Sequence, residues 1–195
     1  MFKKGMCVFN ELRKKYNNFE NFYNPNEIEE IAYVVMKQFN LYECPTPIAT
    51  ILDKAGFYFY IEDLPENMSG IIAVSDHLIE SHGNKRIIKV NKDDNRSHQR
   101  FTMAHELGHY IFDYAGEGKY IDAYDITEEK VDTPKEMRVN RFATALLMPQ
   151  DKFRDKYQAY TILKFKKEKI LTLLADCFDV SETAIAKRII ELGLE

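Results

Sequence analysis

The sequence predicts an α+β fold: a small, mostly antiparallel sheet packed with helices. Three observations carry this. Short β-prone runs at Phe57–Ile61, Ser69–Val74 and Arg86–Asn91 lie close together in the first half of the chain. Apolar residues recur at helical spacing on either side of them. Ile28, Ile31, Ala32, Val35 and Phe39 form one such face, and Val139, Phe142, Ala143, Leu146 and Leu147 form another. With 195 residues, 45% hydrophobic and 30% charged, the chain can bury one ordinary core. A single domain is expected over 1–195. It would carry an N-terminal helical extension over 1–24 and a C-terminal helical subdomain over 150–195.

The elements follow in order. Residues 10–23 carry charged and aromatic faces and predict a surface helix. Asn24-Pro25-Asn26 caps the helix that ends near Phe39. Pro45-Thr46-Pro47 breaks the chain, and the next helix turns Ile48, Ile51, Leu52 and Ala55 inward before Gly56 stops it. The aromatic strand Phe57–Ile61 and a turn region from Leu64 follow. Strands Ser69–Val74 and Arg86–Asn91 are joined by a polar loop with His77, His82 and Gly83-Asn84. Ile71–Val74 lacks the lysine or proline that normally blunts a sheet edge. The expectation is an open edge that receives an extended peptide. A helix runs from about Ser97 to Tyr114, and the glycine- and acid-rich residues 115–132 predict a long loop. Helices resume at Thr133, run to Met148 before Pro149, and return over 170–178 and 182–192.

Bulk properties narrow the function. A net charge of -4 gives no overall basic field for nucleic acid. Cys7, Cys44 and Cys177 are odd in number and scattered, with no Cys-x-x-Cys pair. They suit a reducing cytoplasm and argue against a disulfide frame or a cysteine zinc site. The start Met1-Phe2-Lys3-Lys4 is signal-like, but the apolar run stops at Phe9 before a charged stretch. Neither a signal peptide nor a membrane span is expected, and the localisation expected is cytoplasmic.

The chemistry concentrates in His105-Glu106-Leu107-Gly108-His109. Histidines at i and i+4 share one helical face about 6 Å apart along the axis, so both imidazoles can reach one zinc ion. Glu106 is offset around the helix, poorly placed as a ligand and well placed as the general base that takes a proton from water acidified by zinc. Phe101, Ala104, Gly108, Ile111 and Phe112 make one apolar surface of this helix, and Met103, Leu107, Tyr110 and Tyr114 make a second. Such a helix is buried. Its polar sector of Thr102, His105, Glu106, His109 and Asp113 then needs partners, which a metal and its surroundings would supply. The other account of the sector is a hydrogen-bonded network of two core histidines.

A catalytic zinc site needs a third protein ligand. Asp113 is about 12 Å along the axis from His105, too far to share the ion on a straight helix. It reads as a residue holding an imidazole's other nitrogen, or as a solvated carboxylate. Glu136 lies at the edge of the inward face of the next helix and is the better ligand. Yet Thr133-Pro134-Lys135-Glu136 is also a capping box, in which Glu136 would fold back on Thr133. Glu128 and Glu129 are the fallback ligands. Tyr114, Tyr120 and Tyr124 are candidates for the oxyanion stabiliser by position alone.

The stretch Arg100-Phe101-Thr102-Met103-Ala104-His105-Glu106-Leu107-Gly108-His109-Tyr110 resembles the active-site helix of the ImmA/IrrE family of bacterial and phage metallopeptidases. Glu136-Met137-Arg138-Val139-Asn140-Arg141-Phe142-Ala143, ending in Leu146-Leu147-Met148-Pro149, resembles that family's second signature. Ser69-Gly70 and Val90-Asn91 also fit, and the likeness runs from about Ile28 to the C-terminus. It implies a zincin-like active-site helix, with Glu136 as third ligand four residues before Asn140. It also implies cleavage of a DNA-binding repressor encoded on a prophage or mobile element, or in some members a stress-response or toxin–antitoxin role. One departure stands out: Arg138-Val139 replaces the usual acid and alanine, which removes an alternative acid ligand.

Leu173 to Arg188 reads like a helix-turn-helix. Its second helix opens with Glu182, Thr183 and Ala184, a poor surface for phosphates, so packing beside the active site is favoured over DNA binding. Two functions remain in view. One is a zinc-dependent endopeptidase acting on a protein such as a helix-turn-helix repressor, with His105, His109 and Glu136 on zinc and Glu106 as base. The other is a metal-containing transcriptional or toxin–antitoxin regulator that acts by binding. An intact Glu106 speaks for the first, because a structural metal needs no base.

Overall fold

The computed structural model of the chain describes residues 9–12, 15, 24–116, 118–125 and 133–194, with backbone alone at 124 and 125. Helix α1 (Pro25–Gln38) starts where the Asn24 side chain accepts the Asn26 N–H at 3.1 Å, with proline in its first turn. Its Ile28, Ile31, Ala32 and Val35 are fully buried. Helix α2 (Ile48–Lys54) follows, then strand β1 (Tyr58–Glu62), strand β2 (Met68–Val74), the short helix α3 (Leu78–His82) and strand β3 (Arg86–Asn91). Helix α4 (Arg96–Phe112) is capped by Asn95, whose side chain accepts the His98 N–H. Strand β4 (Tyr120–Asp125) and helix α5 (Pro134–Leu147) come next. The chain ends in α6 (Gln150–Ile162), α7 (Lys167–Phe178) and α8 (Glu182–Glu191).

The predicted class holds: helices pack on a four-stranded sheet of order β1-β3-β2-β4, parallel only between β1 and β3. Two local expectations fail. Strand β2 is not an open edge; it pairs antiparallel with β3 (Ile72 opposite Ile88) and with β4 (Ile72 opposite Asp122). Its freedom from lysine and proline belongs to a strand flanked on both sides, which sequence alone does not distinguish from an unblunted edge. The long loop over 115–132 contains β4. Its acids disguise the strand, but Asp122 turns toward Lys135 rather than solvent. Residues 126–132, including Glu128 and Glu129, lie outside the described residues.

Smaller differences have plain causes. Residues 9–12 and 15 are helical as expected, but Leu12 and the preceding Phe9 are buried in the core, and Phe9 stands edge-on to Tyr110 at 5.5 Å. The rest of the predicted N-terminal helix falls largely outside the described residues. The predicted polar loop between β2 and β3 winds one turn as α3, closed by Gly83 at φ 70. Helix α6 was hidden because Phe153 is its one buried residue.

The core is one hydrophobic cluster reaching from Phe9 to Leu192. The C-terminal helices join it through charge as well as apolar contact. Arg188 is fully buried, donates to both Glu29 carboxylate oxygens at 2.7 and 2.8 Å, and also donates to the Met148 carbonyl. Arg141 meets the same Glu29 at 3.0 Å and Glu191 at 2.8 Å. Paired in this way, the buried charges are tolerated, and removing one partner would strand the others. Among the described residues, no helix is long and apolar enough to cross a membrane.

Candidate metal centre

Helix α4 is buried over its second half, as its two apolar surfaces require, with His105, Glu106, Leu107 and Gly108 sealed from solvent. Glycines set the close approaches on either side. A Cβ on Gly70 of β2 would sit 2.3 Å from Thr102 Cγ2 and 2.9 Å from Glu106 Oε1. A Cβ on Gly108 would sit 2.9 Å from Val139 Cγ1. Thus β2 lies directly over Glu106, and α5 presses against the histidine-bearing turn.

That contact brings Glu136 to the histidines. The backbone and the side chain of Glu136 face different partners. Thr133 Oγ1 accepts the Glu136 N–H at 3.2 Å, which is the N-cap half of a capping box. The carboxylate does not fold back. Its Oε2 lies 3.2 Å from His105 Nε2 and its Oε1 lies 3.6 Å from His109 Nε2. The two Nε2 atoms are 2.9 Å apart. Around a tetrahedral zinc with bonds of about 2.0–2.2 Å, neighbouring donors stand roughly 3.3 Å apart, so this triangle has the right size.

The outer nitrogens fix the ring orientation. His105 Nδ1 faces Asn140 Oδ1 at 2.9 Å, and His109 Nδ1 faces Asp113 Oδ2 at 2.7 Å. With protons on both Nδ1 atoms, two Nε2 lone pairs and a carboxylate point at one spot. Such a spot demands a positive charge. A proton is one way to supply it: burial works to lower the His109 pKa, but hydrogen bonds to Asp113 and Glu136 outweigh it and hold His109 up to about 9. A metal cation is the other, and its binding would displace that proton. Burial keeps His105 below its ordinary value. For Glu136, burial is outweighed by the hydrogen bonds to both histidines, which hold the carboxyl well below the usual range.

Glu106 points to the same conclusion. Among the described residues neither carboxylate oxygen has a hydrogen-bond partner, and burial pushes the group up to about 8. A fully buried, orphaned carboxylate is costly unless something else occupies its surroundings. The donor set and this orphan together fit a divalent cation with a water beside it.

A second acidic group shares His109. Asp113 and Asp122 both approach its Nδ1, at 2.7 and 3.6 Å. Here the protein brings its own cations: Arg138 donates to Asp113 Oδ1 at 2.5 Å, and Lys135 pairs with Asp122. Burial would raise the Asp122 pKa, but His109 and Lys135 draw it lower. Tyr120 donates its hydroxyl to Asp122 at 2.9 Å, and burial with the nearby carboxylates lifts this phenol far above its usual value. Tyr114 stacks on Tyr110 at 5.1 Å, and the side chain of Tyr124 lies outside the described residues. Sequence reasoning missed Asp122, Lys135 and the partner of Arg138. Asn140 was visible only through the resemblance, although its place one turn after Glu136 puts both on one face of α5.

A cleft of about 650 Å³ opens beside the site, lined by His98, Phe101, Met137, Asn140, Thr183 and Lys187 among others. The Phe101 ring lies 6.1 Å from that of His105, so the cleft borders the histidine pair.

The IrrE N-terminal-like domain, a peptidase family, matches residues 52–189, and the chain belongs to that family. A search of curated proteins finds no match. Among solved structures, the chain is similar to a Mycobacterium tuberculosis transcriptional regulator, with a TM-score of 0.51 at 16% identity. The match covers 93% of this chain and 51% of that one, so the chain spans about half the length of that structure and the likeness is one of fold.

Proposed function

We propose that this member of the IrrE N-terminal-like peptidase family is a zinc-dependent endopeptidase acting on a specific protein partner in the cytoplasm. One observation carries the reading: His105, His109 and Glu136 offer three ligand atoms within 4.8 Å of one another, beside a buried Glu106 with no hydrogen-bond partner among the described residues. His105, His109 and Glu136 hold the metal. When bound, zinc acts as a Lewis acid that brings the pKa of water toward about 7 and polarises a peptide carbonyl. Glu106 takes the proton of the attacking water and passes it to the leaving amine nitrogen. Asn140 and Asp113 hold the imidazoles in the tautomer that leaves Nε2 free for the metal. The sealed wall formed by β2 over Glu106 keeps bulk water from competing for that carboxylate.

The partner is a DNA-binding repressor of the helix-turn-helix kind, encoded beside the protease on a prophage or mobile element; the family resemblance supports this. A role for α7 and α8 in binding DNA directly is disfavoured. Arg188, one of two cations near the end of α8, is buried against Glu29 and is not available to a phosphate. The test pairs the zinc-loaded protein with the repressor encoded by the neighbouring gene. The reading expects a few discrete fragments with wild type and none with Glu106→Gln. If both forms bind the repressor and leave it intact, the function is regulation by binding and the peptidase reading fails.

A further inference from the structure

Cys44 and Cys177 lie far apart in sequence and meet in space. Cys44 sits in the connection between α1 and α2, and Cys177 in the last turn of α7. Both are free and half-buried, with Sγ atoms 3.3 Å apart. The Cys44 thiol also donates to the Cys177 carbonyl at 3.1 Å. A disulfide needs the sulfurs to close from 3.3 Å to about 2.05 Å.

The active-site helix holds the two flanking segments in register. Arg100 of α4 donates from Nη2 to the Thr46 carbonyl at 2.9 Å and from Nε to the Asp179 carbonyl at 3.0 Å. Each carbonyl lies two residues beyond a cysteine. The Asp179 carboxylate also meets Arg100 at 3.3 Å and Arg96 at 2.8 Å. Thr46 is tied further by its hydroxyl, which donates to the Leu146 carbonyl at 2.8 Å. These bonds anchor the backbone on both sides while leaving the sulfurs facing each other.

We propose that Cys44 and Cys177 are a redox modification site, forming a reversible disulfide that staples the C-terminal helices to the N-terminal half of the chain. The oxidant is a peroxide. The Cys177 thiol gives up its proton, its sulfur attacks one peroxide oxygen, the O–O bond breaks, and a sulfenic acid forms while the departing hydroxide takes that proton to leave as one water. The Cys44 sulfur then attacks the sulfenic sulfur; the S–S bond forms, the S–O bond breaks, and a second water leaves with the Cys44 proton. Two thiols have lost two electrons and two protons, and the peroxide has gained them. The Cys44 proton is engaged by the Cys177 carbonyl and burial pushes that thiol up, so Cys44 is held as the thiol and the first attack falls to Cys177. The site is separate from the metal centre and uses none of its ligands.

The experiment treats the reduced, zinc-loaded full-length protein with stoichiometric hydrogen peroxide and reads it by alkylation, intact mass and non-reducing peptide mapping. Of the 3 cysteines, Cys7 serves as the internal control. The proposal expects the free thiol count to fall from three to one and the mass to fall by two hydrogens. One linked peptide pair should join Cys44 to Cys177, and dithiothreitol should reverse the change. The crosslink should raise Tm by roughly 5–15 °C, and Cys44→Ser or Cys177→Ser should remove that rise. Three unlinked thiols, oxygen addition to separate cysteines, or a link through Cys7 would each overturn it.

Discussion

Two groups of acids flank the same histidine, and they solve the same electrostatic problem in opposite ways. Around Nε2 of His105 and His109, Glu136 supplies negative charge and no lysine or arginine of the described residues pairs with it. Around Nδ1 of His109, Asp113 and Asp122 are matched by Arg138 and Lys135. The first group is complete only with an external cation. The second is already neutralised and serves to aim His109. Residue types alone would nominate either group as a metal site; the protein's own cations tell them apart.

The largest expected effect lies in the first group. His105→Ala, His109→Ala or Glu136→Ala should abolish or severely weaken zinc retention, measured as metal per chain after dialysis. Full retention by Glu136→Gln would show that another residue is the third ligand. Glu106→Gln comes next: cleavage of the cognate partner should fall by roughly 10²–10⁴-fold while zinc content stays at one per chain. Undiminished cleavage by this variant would remove Glu106 from the chemistry.

Asp113→Ala should act indirectly, loosening His109 and weakening zinc affinity by about 10–100-fold in a chelator competition. An unchanged affinity would detach the second group from the first. Gly70→Ala forces a methyl against Thr102 and Glu106, so it should lower stability by about 1–3 kcal/mol, seen in urea unfolding. The smallest effect belongs to Lys135→Met. Lys135 is partly exposed, pairs with Asp122 and more distantly with Asp113 at 3.8 Å, and touches no proposed ligand, so zinc affinity should change by a few-fold at most. A loss as large as that of Glu136→Ala would show that the two groups are one.

Legibility in the sequence followed the range of the interactions. Helix geometry is local, so the spacing of His105 and His109 put both rings on one buried face without knowledge of the rest of the fold. Glu136 was harder because one carboxylate had two plausible neighbours, its own helix start and a distant helix. Thr133 kept the first role through the backbone, and the side chain took the second. Strand β2 was misread because central and edge strands of the same composition differ only in what pairs with them. Strand β4 was missed for the converse reason: Asp122 looks solvated until Lys135 and His109 are brought alongside. The approach of Cys44 to Cys177 depends on the packing of α7 against the N-terminal half, and no local pattern encodes it.

The central claim is that zinc sits on the Nε2 side of the histidine pair. An anomalous difference map at the zinc edge, from crystals of the zinc-loaded protein, tests it directly. The account predicts one peak, about 2.0–2.2 Å from Nε2 of His105, Nε2 of His109 and a carboxylate oxygen of Glu136. A peak between Asp113 and Asp122, or one on the histidines with Glu136 turned away, would contradict it.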